Sequence, residues 1–176
     1  MHSNGRSKTR AGWPGLGLLA ELGLAGSGLT LVAVPASVPA HAAAPPSYTV
    51  QGGYTIPEPL TDTPGDPAMG RNWVINRKLG NCLSCHQMPI PEEQFHGETA
   101  PALYGVGDLY SAGELRLRIV DPKVLNPQSM MPAFYKTEGL NRVLKGFEGR
   151  PILTAQQVED IIAYLMTLKD TSKAKN

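Results

Sequence analysis

The sequence predicts a small all-α domain with long loops, and three observations carry that expectation. The clearest apolar periodicity is helical: Val158, Ile161, Ile162, Leu165 and Leu168 fall on one face of a segment that opens with a capping box, Thr154-Ala155-Gln156-Gln157. No alternating apolar and polar run, heptad or internal repeat competes with it. The 19 glycines and 16 prolines among 176 residues imply short regular elements joined by irregular chain.

The chain starts with an address. Arg6, Lys8 and Arg10 form a positive start, and Ala11 to Val34 is almost uniformly apolar and small, with Glu21 the only charge. Ala40-His41-Ala42 supplies the small-x-small pattern of a signal peptidase site, so residues 1–42 are expected to leave as a signal peptide cut after Ala42. A permanent membrane anchor competes, because the uncharged stretch after Glu21 is long enough to span. Against stable insertion, Gly12, Gly15, Gly17, Gly23, Gly26 and Gly28 with Pro14 and Pro35 make a poor helix, and no stop-transfer charges follow. The expected destination is the periplasm, an oxidising compartment where cysteine serves disulfides or covalent cofactor attachment.

Residues 43–65 are rich in Pro, Gly and Thr without periodicity and read as an extended arm. Asp66-Pro67 opens a helix: the carboxylate can accept free amides at the N-cap, and proline suits the first helical position. That helix is expected to run to about Leu79, with Met69, Trp73 and Asn76 or Arg77 as its stripe and Gly80 as terminator. Ser111-Ala112-Gly113-Glu114 is a capping box for a short helix through Leu115, Leu117 and Ile119 to Asp121, which Pro122 stops. The last helix spans roughly 21 Å, with Glu159, Asp160 and Lys169 off its apolar face. Residues 66–170 form the domain and 171–176 a polar tail.

Charge and size narrow the function. The 16 Lys+Arg against 15 Asp+Glu give +1, with no basic stripe or acidic tail, which removes nucleic acid as a leading partner. Losing residues 1–42, with three basic residues and one acid, leaves 13 against 14. Three or four short helices bury little apolar surface for a domain this size, so something else must fill its centre.

Cys82-Leu83-Ser84-Cys85-His86 specifies what that is. A C-x-x-C-H run in an exported chain is the signature of haem c: two thiols add to two vinyl groups of one macrocycle, and the adjacent imidazole takes the iron. Both cysteines are consumed, which accounts for a count of two. A thioredoxin-like pair needs a βαβ context that is missing, zinc needs two more ligands that His96 alone cannot supply, and a disulfide across two residues would be strained.

The sixth iron position has few candidates. Met88 lies too close to His86, and Met69 and Met166 fall in helices, where methionine is usually core filler. Met130 and Met131 lie in Asn126-Pro127-Gln128-Ser129-Met130-Met131-Pro132, stiffened by prolines on both sides. Met131 is the preferred ligand, with Met130 and then His96 as alternatives. A thioether favours ferrous iron, and a closed His/Met site carries single electrons without a place for substrate. Between the ligands, the carbonyl of Pro101 is placed to accept the Nδ1–H of His86. Gly105 and Gly107 would let backbone approach the macrocycle, a plain turn being the alternative. Leu103, Tyr104, Phe134 and Tyr135 are expected in the haem wall, with generic core as the alternative.

The order of these elements resembles class I cytochromes c: an N-terminal helix, CxxCH, a Pro/Gly loop, a short helix, a Met-Pro loop and a terminal helix. More closely, it resembles the SoxX family of small cytochrome subunits in the SoxAX complexes of bacterial sulfur oxidation. The likeness rests on Gly65-Asp66-Pro67, Gly80-Asn81-Cys82-Leu83-Ser84-Cys85-His86, Ala100-Pro101-Ala102-Leu103-Tyr104-Gly105-Val106-Gly107 and Arg118-Ile119-Val120-Asp121. It continues through Met131-Pro132-Ala133-Phe134-Tyr135 and Gly149 to Asp160, covering roughly residues 65–168. The resemblance implies a class I cytochrome c-like fold around one covalent haem c, with His86 and Met131 on the iron. It also implies a heterodimer with a SoxA-like haem subunit. A cysteine of that partner would be joined to thiosulfate and then to a carrier-protein cysteine, an L-cysteine S-thiosulfotransferase reaction. This chain would accept the two electrons one at a time and pass them to a downstream cytochrome c, without itself being catalytic.

Two other classes compete: a free-standing periplasmic electron shuttle, and a haem enzyme or ligand sensor with an open sixth site. The Met131-Pro132 loop argues against an open site, and no ring of lysines suits a promiscuous shuttle. The arm at 43–65 favours a docked subunit and is a candidate docking surface. Mass spectrometry of the native protein is expected to find the N-terminus at or within a few residues of Ala43; a mature species retaining residues 13–34 would overturn the cleaved leader.

Overall fold

Helix α4, Ala155–Thr167, is capped as its sequence dictates. Thr154 Oγ1 accepts the Gln157 N–H at 3.2 Å, and Gln157 Oε1 accepts the Thr154 N–H at 2.9 Å. Val158, Ile161, Ile162 and Leu165 are buried along it. The computed structural model describes residues 47–170. The leader at 1–42, the start of the arm and the tail at 171–176 lie outside the described residues. Before α4 come α1, Pro67–Ile75, α2, Val106–Leu109, and α3, Ala112–Val120, with 3-10 turns at Cys82–Ser84 and Pro122–Val124. Among the described residues the only pairing of β type is an isolated bridge between Gln51 and Thr55, so the architecture is all-α with long loops.

Helix α1 starts as expected, with Asp66 Oδ1 accepting the N–H of Ala68 at 2.8 Å. It stops at Ile75, four residues short of Leu79, and the reason is local. Asn76 turns out of the helix at φ −64°, ψ 109°, and its side-chain oxygen accepts the Lys78 N–H at 2.9 Å. An asparagine that satisfies its own following amide competes with helix continuation. The inward face also differs from the expected stripe: Gly70 and Val74 are buried, whereas Met69 is 39% exposed. A Cβ at Gly70 would stand 1.9 Å from the Asp160 carbonyl oxygen, so α1 crosses α4 backbone against backbone at that residue. This is the most extensive helix pairing among the described residues.

The second correction concerns α4. Glu159 and Asp160, expected on its polar face, are 6% and 5% exposed. Arg116 of α3, itself 3% exposed, grips Glu159 with two charged bonds, Nε to Oε1 at 2.7 Å and Nη2 to Oε2 at 2.8 Å. Asp160 accepts the Trp73 indole N–H at 3.1 Å and the Asp66 N–H at 2.9 Å. Both ends of α3 are as read: Ser111 and Glu114 cap each other, and Asp121 and Pro122 end it.

These charges explain the third correction. The described part of the arm, 47–65, is irregular as its composition implies, but it is built into the domain. Ile56 and Leu60 are 1% and 7% exposed within the core. Their backbone is satisfied by the buried pair: Arg116 Nη1 donates to the carbonyls of Ile56 at 2.7 Å and Pro57 at 3.2 Å, and Leu60 N–H donates to Glu159 Oε1 at 3.0 Å. The segment is therefore a strap over α3 and α4, and Ile56 N–H adds a bond to the Gly113 carbonyl at 3.0 Å.

Removing one member of a buried pair leaves the other charge uncompensated, at about 3–5 kcal/mol. Glu159→Ala is expected to lower stability by about that amount, and the Arg116→Met/Glu159→Leu double variant by clearly less. Guanidinium unfolding of the haem-loaded protein checks both; a loss below about 1 kcal/mol for the single variant would remove the pair from its role as strap anchor.

Candidate functional site

The segment carrying the two cysteines is shaped before it reaches them. Gly80 passes so close to α1 that a Cβ would lie 2.3 Å from the Trp73 carbonyl oxygen. Asn81 then takes the left-handed conformation at φ 48°, and the chain enters the turn Cys82–Ser84. Bonds from Cys85 N–H at 3.1 Å and His86 N–H at 2.9 Å to the Cys82 carbonyl bring the thiols and the imidazole onto one turn. No disulfide joins the two cysteines. Burial pushes the Cys82 thiol up to about 12, so the sulfur sits neutral in an apolar wall. A thioether at that place would bury no charge.

The following loop folds back over this turn. Gly97 N–H donates to the Leu83 carbonyl at 2.7 Å, Ala100 N–H to Cys85 at 3.0 Å and Leu103 N–H to Gln87 at 2.9 Å. The first contact requires glycine, since a Cβ at Gly97 would stand 2.0 Å from the Ser84 carbonyl oxygen. Held in this way, the Pro101 carbonyl oxygen lies 2.7 Å from His86 Nδ1. A carbonyl only accepts, so Nδ1 carries the proton and the lone pair is left on Nε2, the tautomer that a metal-binding imidazole needs.

His86 and Cys82 line an apolar cleft whose other walls come from α1, α3, α4 and the loops between the helices. Val74 comes from α1, Ile119 from α3, and Ile161 and Leu165 from α4, while Leu103, Phe134, Leu153, Met88 and Met131 come from loops. Leu103 and Phe134 were expected there. Tyr104 and Tyr135 were expected there too but lie elsewhere: Tyr104 is 56% exposed, its hydroxyl donating to the Met88 carbonyl at 3.3 Å. Tyr135 packs against Tyr48 of the strap, the rings tilted by 46° with centroids 6.5 Å apart. The walls at Ile161 and Leu165 were visible as the apolar face of α4. Leu153 and Met88, in loops without periodicity, carried no signal.

The candidate ligands separate clearly. Met131 lines the cleft with His86, whereas Met130 is 78% exposed. His96 does not line it; its Nδ1 accepts the Met88 N–H at 3.3 Å, and its Nε2 is buried with no hydrogen-bond partner among the described residues. Gly107 serves α4 rather than the cleft, and Gly105 lies against Asp170, beyond the end of α4. A Cβ at Gly107 would meet the Met166 carbonyl oxygen at 2.7 Å, and Gly107 N–H donates to the Leu168 carbonyl at 3.0 Å.

The donor set fits a haem: two unpaired thiols and an oriented imidazole on one turn, a thioether in the same cleft and hydrocarbon walls. No helix among the described residues is long and apolar enough to cross a membrane. Among the described residues no cluster of three or more His, Cys, Asp or Glu could hold a separate metal ion.

Comparison with known proteins agrees with this chemistry. The cytochrome c family model matches residues 76–169. No match was found among curated proteins. Among solved structures, a chain from the crystal structure of SoxXA from P. pantotrophus aligns with a TM-score of 0.64 and 37% identity, over 70% of this chain and 100% of that one. Turn, cleft and both comparisons lead to one conclusion: this chain belongs to the cytochrome c family, as a SoxX-type member whose fold is built for covalent haem c.

Proposed function

We propose that this chain is the electron-accepting, monohaem subunit of a SoxAX-type complex that conjugates thiosulfate oxidatively to a carrier-protein cysteine. The observation that carries the reading is the presence of His86 and Met131 in one apolar cleft, with no further polar group among them to receive a substrate. Cys82 and Cys85 would hold the haem, and His86 and Met131 its iron. The group supplies reversible storage of one electron when bound. Pro101 fixes the His86 ring through Nδ1, Met131 contributes a neutral sulfur that favours the reduced metal, and Val74, Leu103, Ile119 and Phe134 keep water away from it.

A two-electron conjugation cannot be completed by a single one-electron carrier, so the reaction belongs to a partner. By likeness to the SoxXA structure that partner is a SoxA-like subunit, which the reading takes to carry haem, and a downstream cytochrome c would take the electrons onward. Maturation follows export: residues 1–42 are removed and the haem is attached in the periplasm, where the complex works.

Met131→Ala is expected to abolish the ferric iron–thioether absorption band and to lower the reduction potential by on the order of 0.1 V, a fraction of the roughly 0.8 V range that axial ligands span. Met130→Ala is expected to leave both unchanged, and loss of the band in the Met130 variant alone would move the ligand by one residue. The isolated protein is expected to be reduced and reoxidised without turning over thiosulfate, and turnover is expected once a SoxA-like partner is added. Thiosulfate oxidation by the chain alone would reject the subunit reading; a stable monomer exchanging electrons with many cytochromes would favour the shuttle.

A further inference from the structure

The loop that carries Met131 runs over the surface: Met130 is 78%, Val124 45% and Leu125 36% exposed. Apolar burial holds the chain on either side, at Pro122 and at Ala133 and Phe134, but not across the span between, and a thioether is a weak, neutral ligand whose hold on oxidised iron depends on being kept in place. Polar contacts supply the fixing. Asp121, 5% exposed at the end of α3, uses one carboxylate on both ends of the loop. Its Oδ1 accepts the Lys123 N–H at 3.2 Å, and its Oδ2 accepts from Lys136 Nζ at 2.6 Å. Lys123 then reaches across, with Nζ 2.7 Å from the Ser129 carbonyl oxygen and 3.5 Å from that of Met131. Ser129 Oγ accepts the Met131 N–H at 3.2 Å.

We propose that Asp121 and Lys123 are positioning residues for Met131, closing the loop at its base and across its span so that the sulfur is held in the cleft. The proposal rests on Met131 as an iron ligand, and it adds that the persistence of that ligand is set by two side chains that touch neither the cleft nor the iron. Groups that orient a metal ligand change affinity by about 10–100-fold when removed.

The test uses the haem-loaded protein and the rate at which added imidazole displaces the sixth ligand of ferric iron, read optically, alongside the potential and guanidinium unfolding. Lys123→Met, at an exposed side chain, and Asp121→Asn, which keeps size and the Oδ1 acceptor, are each expected to raise that rate about tenfold. Lys123→Arg is expected to restore it, and Lys145→Met, which removes the same charge from another exposed site, to leave it at the parental value. Rates within about twofold of the parent for Lys123→Met would overturn the proposal, as would an equal rise in Lys145→Met. If Met131→Ala keeps the thioether band, the ligand assignment itself falls; if it loses the band while Lys123→Met stays parental, only the positioning role does.

Discussion

The close crossing of α1 over α4 is the constraint on which the other arrangements depend. With Gly70 at the contact, the two helix backbones approach to a distance that no side chain permits. Val74 of α1 and Ile161 and Leu165 of α4 are thereby brought into a single wall. The same approach sets Trp73 within reach of Asp160, so a buried carboxylate acquires an indole and a backbone amide as partners. Five residues beyond the end of α1 at Ile75, Gly80 passes close to the Trp73 carbonyl oxygen on its way into the cysteine turn, an approach that a Cβ would block.

Polar groups do unusual structural duty around this crossing. Arg116, Glu159 and Asp160 are as buried as many core leucines, yet every charged atom has a hydrogen-bonding partner, as burial demands. They give the irregular segment before α1 what strand neighbours give a β-strand: acceptors and donors for its free backbone groups. Ile56 and Leu60 add apolar area, and the strap becomes part of the core without regular secondary structure of its own.

What could be read from the residues follows a physical line. Capping boxes, N-caps and CxxCH are local patterns with one structural meaning, and α3, α4 and the haem-binding turn appear where those patterns put them. The placement of Met131 in the cleft and of Met130 at the surface was likewise legible, because the proline that follows Met131 constrains the loop. The inward placement of Glu159 and Asp160 was not: periodicity treats a carboxylate as a surface residue unless its cation is known, and Arg116 lies 43 residues away. The end of α1 escaped for a smaller reason, since Asn76 can continue a helix or cap itself, and its choice is made by Lys78 N–H and the turn beyond. The glycines were recognised as close approaches, but whether the neighbour was a macrocycle or α4 depended on tertiary placement.

The cleft draws its walls from residues as far apart as Val74 and Leu165, and no single helix or loop encloses it. Folding the chain and forming a pocket for the macrocycle are therefore linked: the pocket is complete only when helices and loops have assembled, and a bound macrocycle would shift the folding equilibrium toward that state. A cofactor held only by contacts would make that equilibrium sensitive to dilution, since stabilisation by a free ligand grows with its concentration. Two thioethers on one turn, at Cys82 and Cys85, would remove the concentration from the expression. A haem so attached would be a permanent member of the chain, present at a fixed effective concentration beside the residues that surround it.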